Sequence, residues 1–168
     1  AQSETTDLYF GITAKGKVNL LDTYYYTPAG KTEERPPSQL SREIHDWVQD
    51  HIKHAPWGRR KIIRRTIDSA EAALRNQYDH DWGIAMHPVA KLKKQTMIDN
   101  VYSLLADGRF YYLDTGANQV FIQQHQTYRY DEKTLNTDDP RVIKDNDHTC
   151  DAFQYFVIDN ALALKLKR

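Results

Sequence analysis

The sequence predicts an α/β protein, a mixed sheet with helices on its faces. Three observations point there. An aromatic hairpin pattern opens the chain, short apolar strands then alternate with amphipathic helices, and an apolar helix closes it directly after a cluster of acids.

The elements follow in order. In "DLYFGITAKGKVNLLDTYYY", Tyr9, Phe10 and Ile12 lead into an "AKGK" turn, and Val18 to Tyr26 leads out with β-branched and aromatic residues. "TPAGKTEERPP" is a polar Pro/Gly loop. Ser38 is placed to cap a helix in which Leu40, Ile44, Trp47, Val48 and Ile52 recur at helical spacing, and "HAPWG" stops it. "KIIRRTI" reads as a short strand ending at Asp68, followed by a helix, "SAEAALRNQY", with Asp68 or Ser69 near its start. "GIAMHPV" is another short strand. "KKQTMIDNVYSLLADGR" is an amphipathic helix with Ile98, Val101, Tyr102 and Leu105 on one face, ended by Gly108. "FYYL" is a brief strand, "ANQVFIQQHQTYRYDEK" a helix, "TLNTDDPRVIKD" a loop, and the last helix runs from about Asn146. The order β-β-α-β-α-β-α-β-α-α carries no internal repeat or domain linker, so one domain over 1–168 is expected.

Bulk composition narrows the function. The 168 residues are 40% hydrophobic and 27% charged, ordinary for a globular chain with a real core. No apolar run approaches the roughly 18 residues that span a membrane, and "AQSETTDLYF" has no signal-peptide pattern. The lone Cys150 rules out an internal disulfide and fits a reducing compartment. Basic and acidic residues balance at 23 each, so nucleic-acid binding would need a local patch. Two stretches offer one: "GRRKIIRR" (Arg59, Arg60, Lys61, Arg64, Arg65) and "KLKK" (Lys91, Lys93, Lys94), although either alone reads more simply as a solvated face.

"AGKT" at Ala29 to Thr32 resembles the tail of a phosphate-binding loop, but the position five before its Gly is Tyr25 and "EERPP" prevents the helix that must follow. The more informative stretch is "KDNDHTCDAFQYFV". Three acids and a histidine fall within Asp145 to Asp151. His148 and Asp151 are three apart, Asp147 and Asp151 four apart, so they share one face in the first helical turn, where the helix dipole favours carboxylates. A cap needs one such residue. The excess of oxygen donors with one imidazole suits Mg²⁺ or Mn²⁺. Asp68, at a strand end and followed by small residues, lies where ligands of α/β sheets collect. His45, His51 and His54 read as surface residues, Trp47 and Trp57 as packing, and Cys150 as a small core residue.

These residues together resemble the C-terminal nuclease domain of the large terminase subunit of tailed bacteriophages, which has a ribonuclease H-like fold. The Tyr-rich hairpin, the helix "PPSQLSREIHDWVQD", the strand and turn in "IIRRTIDSAEAALRNQY", the segment "KQTMIDNVYSLLADGRFYYL", "QTYRYDEK" and the ending "VIKDNDHTCDAFQYFV" match it in order over nearly the whole chain. The resemblance implies a metal-dependent endonuclease that cuts concatemeric DNA during packaging, in the host bacterial cytoplasm. Asp68 and Asp151 would be its catalytic, metal-binding carboxylates, His148 a further ligand or near-ligand, and Asp147 a ligand or an orienter of the turn. Two Mg²⁺ or Mn²⁺ ions about 4 Å apart would activate a water and stabilise the leaving oxygen. Arg64, Arg65, Lys93 and Lys94 are the candidates for contacts to double-stranded DNA. A terminase ATPase domain, the small terminase subunit and the portal protein are the implied partners, with no membrane. The family also begins with a central strand bearing a first catalytic aspartate, just before the segment that here reads "AQSETTDLYF". That strand is expected to be absent from this chain, leaving a gap in the sheet, with Glu4 and Asp7 the only early acids. Two other readings stay open: a related nuclease such as a resolvase or transposase core, or a non-catalytic docking module.

Overall fold

A computed structural model describes residues 4–27 and 35–166. The hairpin β1 (Thr5–Ile12) and β2 (Val18–Tyr26) is followed by α1 (Pro37–His54), β3 (Thr66–Ile67), α2 (Ala72–Trp82), β4 (His87–Pro88), α3 (Lys94–Ala106), β5 (Phe110–Tyr112), α4 (Gln119–Thr127) and α5 (His148–Asp159). This is the element order read from the sequence. A 3₁₀ turn, Glu132–Thr134, lies between α4 and α5. The "AGKT" segment lies outside the described residues.

The strands form two sheets among the described residues. One has the order β1-β2-β5, with β1 antiparallel and β5 parallel to β2. The other is the parallel pair β3-β4. β1 and β3 each pair on one side only, and both border a cleft of about 1550 Å³.

β1 alternates its side chains between two cores, as a strand must. Leu8, Phe10 and Ile12 pack on the first, built from Val18 and Leu20 of β2, Val101 and Leu104 of α3, Phe121 of α4, and Phe153 and Val157 of α5. Phe10 stacks on Phe156 at 3.9 Å and on Phe153 at 5.6 Å between ring centroids. Full burial of a ring such as Phe153 is worth about 2–3 kcal/mol, so this contact fixes α5 against the sheet. Tyr9 points the other way, into a second core of Ile44 and Val48 from α1 with Leu74 and Tyr78 from α2.

Several local expectations are corrected. Ser38 does not cap α1. Pro37 occupies the first turn with its φ already helical, and no side chain caps it. "KIIRRTI" and "GIAMHPV" shrink to two paired residues each, because β3 and β4 meet only at Thr66↔His87 and Ile67↔Pro88. α3 buries Met97, Val101 and Leu104, while Tyr102 and Leu105 are exposed. Both sets have helical spacing, and packing against α5 goes with the one that contains Met97. Gly108 does end this helix, at φ 66°, with Arg109 N–H reaching back to the Leu104 carbonyl at 3.3 Å. α4 stops at Thr127 instead of continuing to Lys133, since Tyr130 bridges to Val142 in an extended conformation. His51 is buried, not on the surface. Its Nε2 meets Asp22 Oδ2 at 2.8 Å, and Trp57 Nε1–H donates to its Nδ1 at 3.1 Å.

Candidate active site

Asp68 follows β3 directly. Its Oδ1 accepts from Ala70 N–H at 3.0 Å, a local turn that delays α2 until Ala72. The same oxygen meets Lys91 Nζ at 2.6 Å. Lys91 also lies 5.2 Å from the centre of the Tyr155 ring, one turn after Asp151 on α5. The Asp68 hydrogen bond raises the Lys91 ammonium above its usual range. Burial, then the negative charges of Asp151 and Asp68, raise the Tyr155 phenol. Lys91 and Tyr155 thus connect the strand-end acid to the helix that carries the other acids.

The start of α5 is set by a tight turn, with Asn146 at φ 49° and Asp147 at the capping position. Asp147 does not cap with its side chain. Gln124, buried on α4, does that work. Its Oε1 accepts from Thr149 N–H at 2.9 Å and from Thr149 Oγ1 at 2.6 Å. Its Nε2 donates to Tyr25 Oη at 3.0 Å, Tyr25 donates in turn to Glu4, and Glu4 Oε2 lies 3.3 Å from His148 Nε2. A chain of polar groups therefore runs from α4 through β2 and the start of β1 back to His148.

Asp151 pairs with Lys94, whose Nζ also donates to Gln154 Oε1 at 2.7 Å. Lys144 Nζ sits 3.5 Å from Asp151 Oδ2 and 3.3 Å from Asp147 Oδ2. Asp147 is 5% exposed, and its Oδ2 makes no hydrogen bond beyond that ion pair. Cys150, between them in sequence, is buried. Burial first, and the two neighbouring carboxylates second, push its thiol up to about 12.

Asp68, His148 and Asp151 all line the cleft, while Asp147 is buried and does not line it. Among the described residues no three His, Cys, Asp or Glu side chains gather closely enough to hold a metal ion. Arg64 and Arg65 line the same cleft. Arg64 grips Asp159 with two nitrogens, at 2.7 and 3.0 Å, and Arg65 donates to Tyr78 Oη at 3.2 Å. Burial works to raise the Asp159 carboxyl, but hydrogen bonds from Arg64 and Thr66 hold it low. Lys93 is exposed and Lys94 is committed to Asp151. Sequence reasoning missed Lys144, Gln124 and Tyr155. Lys144 had a signal, since Lys144, Asp147 and Asp151 are spaced three and four apart. Gln124 had none, because its partners lie 25 and 99 residues away.

The family model described as the terminase RNase H-like domain matches residues 1–159. The chain belongs to that family. Solved structures of the large terminase from a thermophilic bacteriophage share the fold. One crystal form gives a TM-score of 0.78 at 22% identity, covering 96% of this chain and 37% of that one. A second form gives 0.79 at 22% identity, covering 96% and 36%. The complex with ATP-γ-S gives 0.79 at 22% identity, covering 93% and 36%. The chain therefore spans little more than a third of the terminases it matches. No curated protein matched it. Within this family, the mixed sheet and its flanking helices are an RNase H-like terminase fold. No helix among the described residues is long and apolar enough to cross a membrane.

Proposed function

We propose that this domain is a metal-dependent DNA endonuclease of a phage packaging terminase. One observation carries the reading: Asp68, from a strand end, and Asp151, from the first turn of α5, line one cleft, with Lys91 reaching from Asp68 to the ring of Tyr155 on the same helix as Asp151. The donor set suits hard divalent cations, being carboxylate oxygens with one imidazole at the edge. The buried Asp147, whose Oδ2 meets Lys144 alone among the described residues, is a further oxygen donor just before α5. Asp68 and Asp151 would hold the metal, with His148 and Asp147 as further ligands or supports. Bound Mg²⁺ or Mn²⁺ supplies an activated water and stabilises the leaving oxygen of the phosphodiester.

The chain's own residues do the rest. Arg65 on the cleft wall and the exposed Lys93 would provide positive charge for the backbone of double-stranded DNA, joined by Arg64 and Lys94 on leaving Asp159 and Asp151. Such contacts position DNA without reading its sequence. The acting assembly would include the terminase ATPase domain, the small terminase subunit and the portal protein, working in the cytoplasm of an infected bacterium. Within it, 1–168 would form a single nuclease unit.

The test is conversion of supercoiled plasmid to nicked and linear forms with Mn²⁺, with Mg²⁺ and with chelator. Metal-dependent cutting is expected, falling at least about 100-fold in both Asp68→Asn and Asp151→Asn, since loss of a mere supporting partner of a metal ligand already costs 10–100-fold. Failure to cut, by this chain and by one extended at its N-terminus, would leave the docking reading.

A further inference from the structure

Each of the three site carboxylates meets a lysine, two of them from "KLKK" and one from the segment before α5. Lys91 lies in the segment before α3, Lys94 is the first residue of α3, and Lys144 precedes α5. Three ammoniums face Asp68, Asp147 and Asp151, so the cluster is balanced in charge. Asp147 and Asp151 are four apart on one helix face and would repel each other without a cation.

The Lys91 and Lys144 pairs are poorly suited to a permanent structural role, and Lys94, although held by Gln154 as well, reaches Asp151 on the same flexible stem. The Lys144 side chain is 65% exposed and that of Lys91 37% exposed. Partly exposed lysine pairs are weak, and the lysine stem is flexible enough to swing away. A divalent ion brings twice the charge to the same oxygens. We propose that Lys91, Lys94 and Lys144 are exchangeable counter-ions, which hold the carboxylates of the metal-free cleft and leave them when a divalent cation binds. The idea rests on the metal-binding reading above. It makes the lysines competitors of the metal, not members of its support.

The sign of one measurement decides. Mn²⁺ binding to the whole chain is followed by the loss of the free-ion electron paramagnetic resonance signal. In Lys94→Met/Lys144→Met the competing charges are gone and the length of the side chains is kept. Mn²⁺ affinity is expected to rise about fivefold or more, the equivalent of one weak ion pair. Lys93→Met removes the same charge one residue away and should change affinity less than about twofold. Lys94→Arg/Lys144→Arg keeps the charges and should not tighten binding. Equal or weaker binding by the double Met variant overturns the exchange and leaves the metal reading intact. A rise of equal size in Lys93→Met overturns it too, as a mere effect of net charge. Absence of Mn²⁺ uptake by wild type and variants alike overturns the metal reading, and the exchange with it.

Discussion

Asp22 and Asp151 are almost equally exposed, with side chains at 25% and 21%, yet they are held in opposite ways. Asp22 accepts from the Trp47 indole at 2.9 Å, from the Thr23 amide at 2.9 Å and from His51 at 2.8 Å. Because Trp57 donates to Nδ1 of His51, the ring's own proton sits on Nε2 and points at Asp22. Tyr9 stacks on the same ring at 4.4 Å. These donors are rigid, packed and locked to one another. Asp151 instead meets two lysines on flexible stems. Exposure alone does not distinguish these two carboxylates. The stiffness of their partners does: packed indole, amide and imidazole donors keep their place, whereas a lysine stem can swing away.

Asp7 tests the limit of that contrast, since no hydrogen bond or ion pair from a described residue meets its carboxyl. Burial lifts it from 3.8 to about 7. Below pH 4 the folded and unfolded chains both carry the proton. Between about 4 and 7 only the folded chain does, so stability falls as pH rises through that window and is level again above it. Asp7→Asn should abolish this slope. At pH 8 it should stabilise by up to about 4 kcal/mol, at roughly 1.4 kcal/mol for each unit of the shift. Urea unfolding at pH 4 and pH 8 measures it. An unchanged slope would mean that a cation or a proton donor already meets Asp7.

His51→Ala breaks the rigid side of the comparison. It removes the donor to Asp22, strands the Trp57 N–H and takes away the ring under Tyr9. The cost is expected to be about 3 kcal/mol from the cavity and the unpaired groups together. Mn²⁺ affinity should not change. A loss of metal binding with retained stability would erase the distinction between the two aspartates.

The sequence made the element order legible because period-two and period-3.6 patterns are local. The shared cation of Asp147 and Asp151, which both meet Lys144, was legible for the same reason, through spacing of three and four residues. What failed was set by partners far along the chain. The buried face of α3 had two helical solutions, and packing against α5, far along the chain, goes with Met97 rather than Tyr102. His51 looked like a surface residue because Asp22 lies 29 residues upstream. The lysines of "KLKK" looked like a solvated face, and only the folded chain shows Lys91 on Asp68 and Lys94 on Asp151.

Gln124 sharpens the comparison, because it brings rigid support to the flexible side. It is buried and lies outside the charge cluster, but it satisfies the amide and hydroxyl of Thr149 in the first turn of α5, two residues before Asp151. It also holds Tyr25, which holds Glu4 beside His148. Gln124→Ala leaves the Thr149 amide unpaired in a buried place, expected to cost about 2 kcal/mol. Gln124→Glu keeps both acceptor bonds to Thr149, so α5 should keep its start and most of its stability. It loses the N–H that reached Tyr25 and adds a negative charge near Glu4. Hydrogen exchange of the α5 amides separates the two effects. Fast exchange at the start of α5 is expected in Gln124→Ala and slow exchange in Gln124→Glu. Equal protection in both would mean that the helix start is fixed by Phe153 and its core, and that the acids of the cleft need no such anchor.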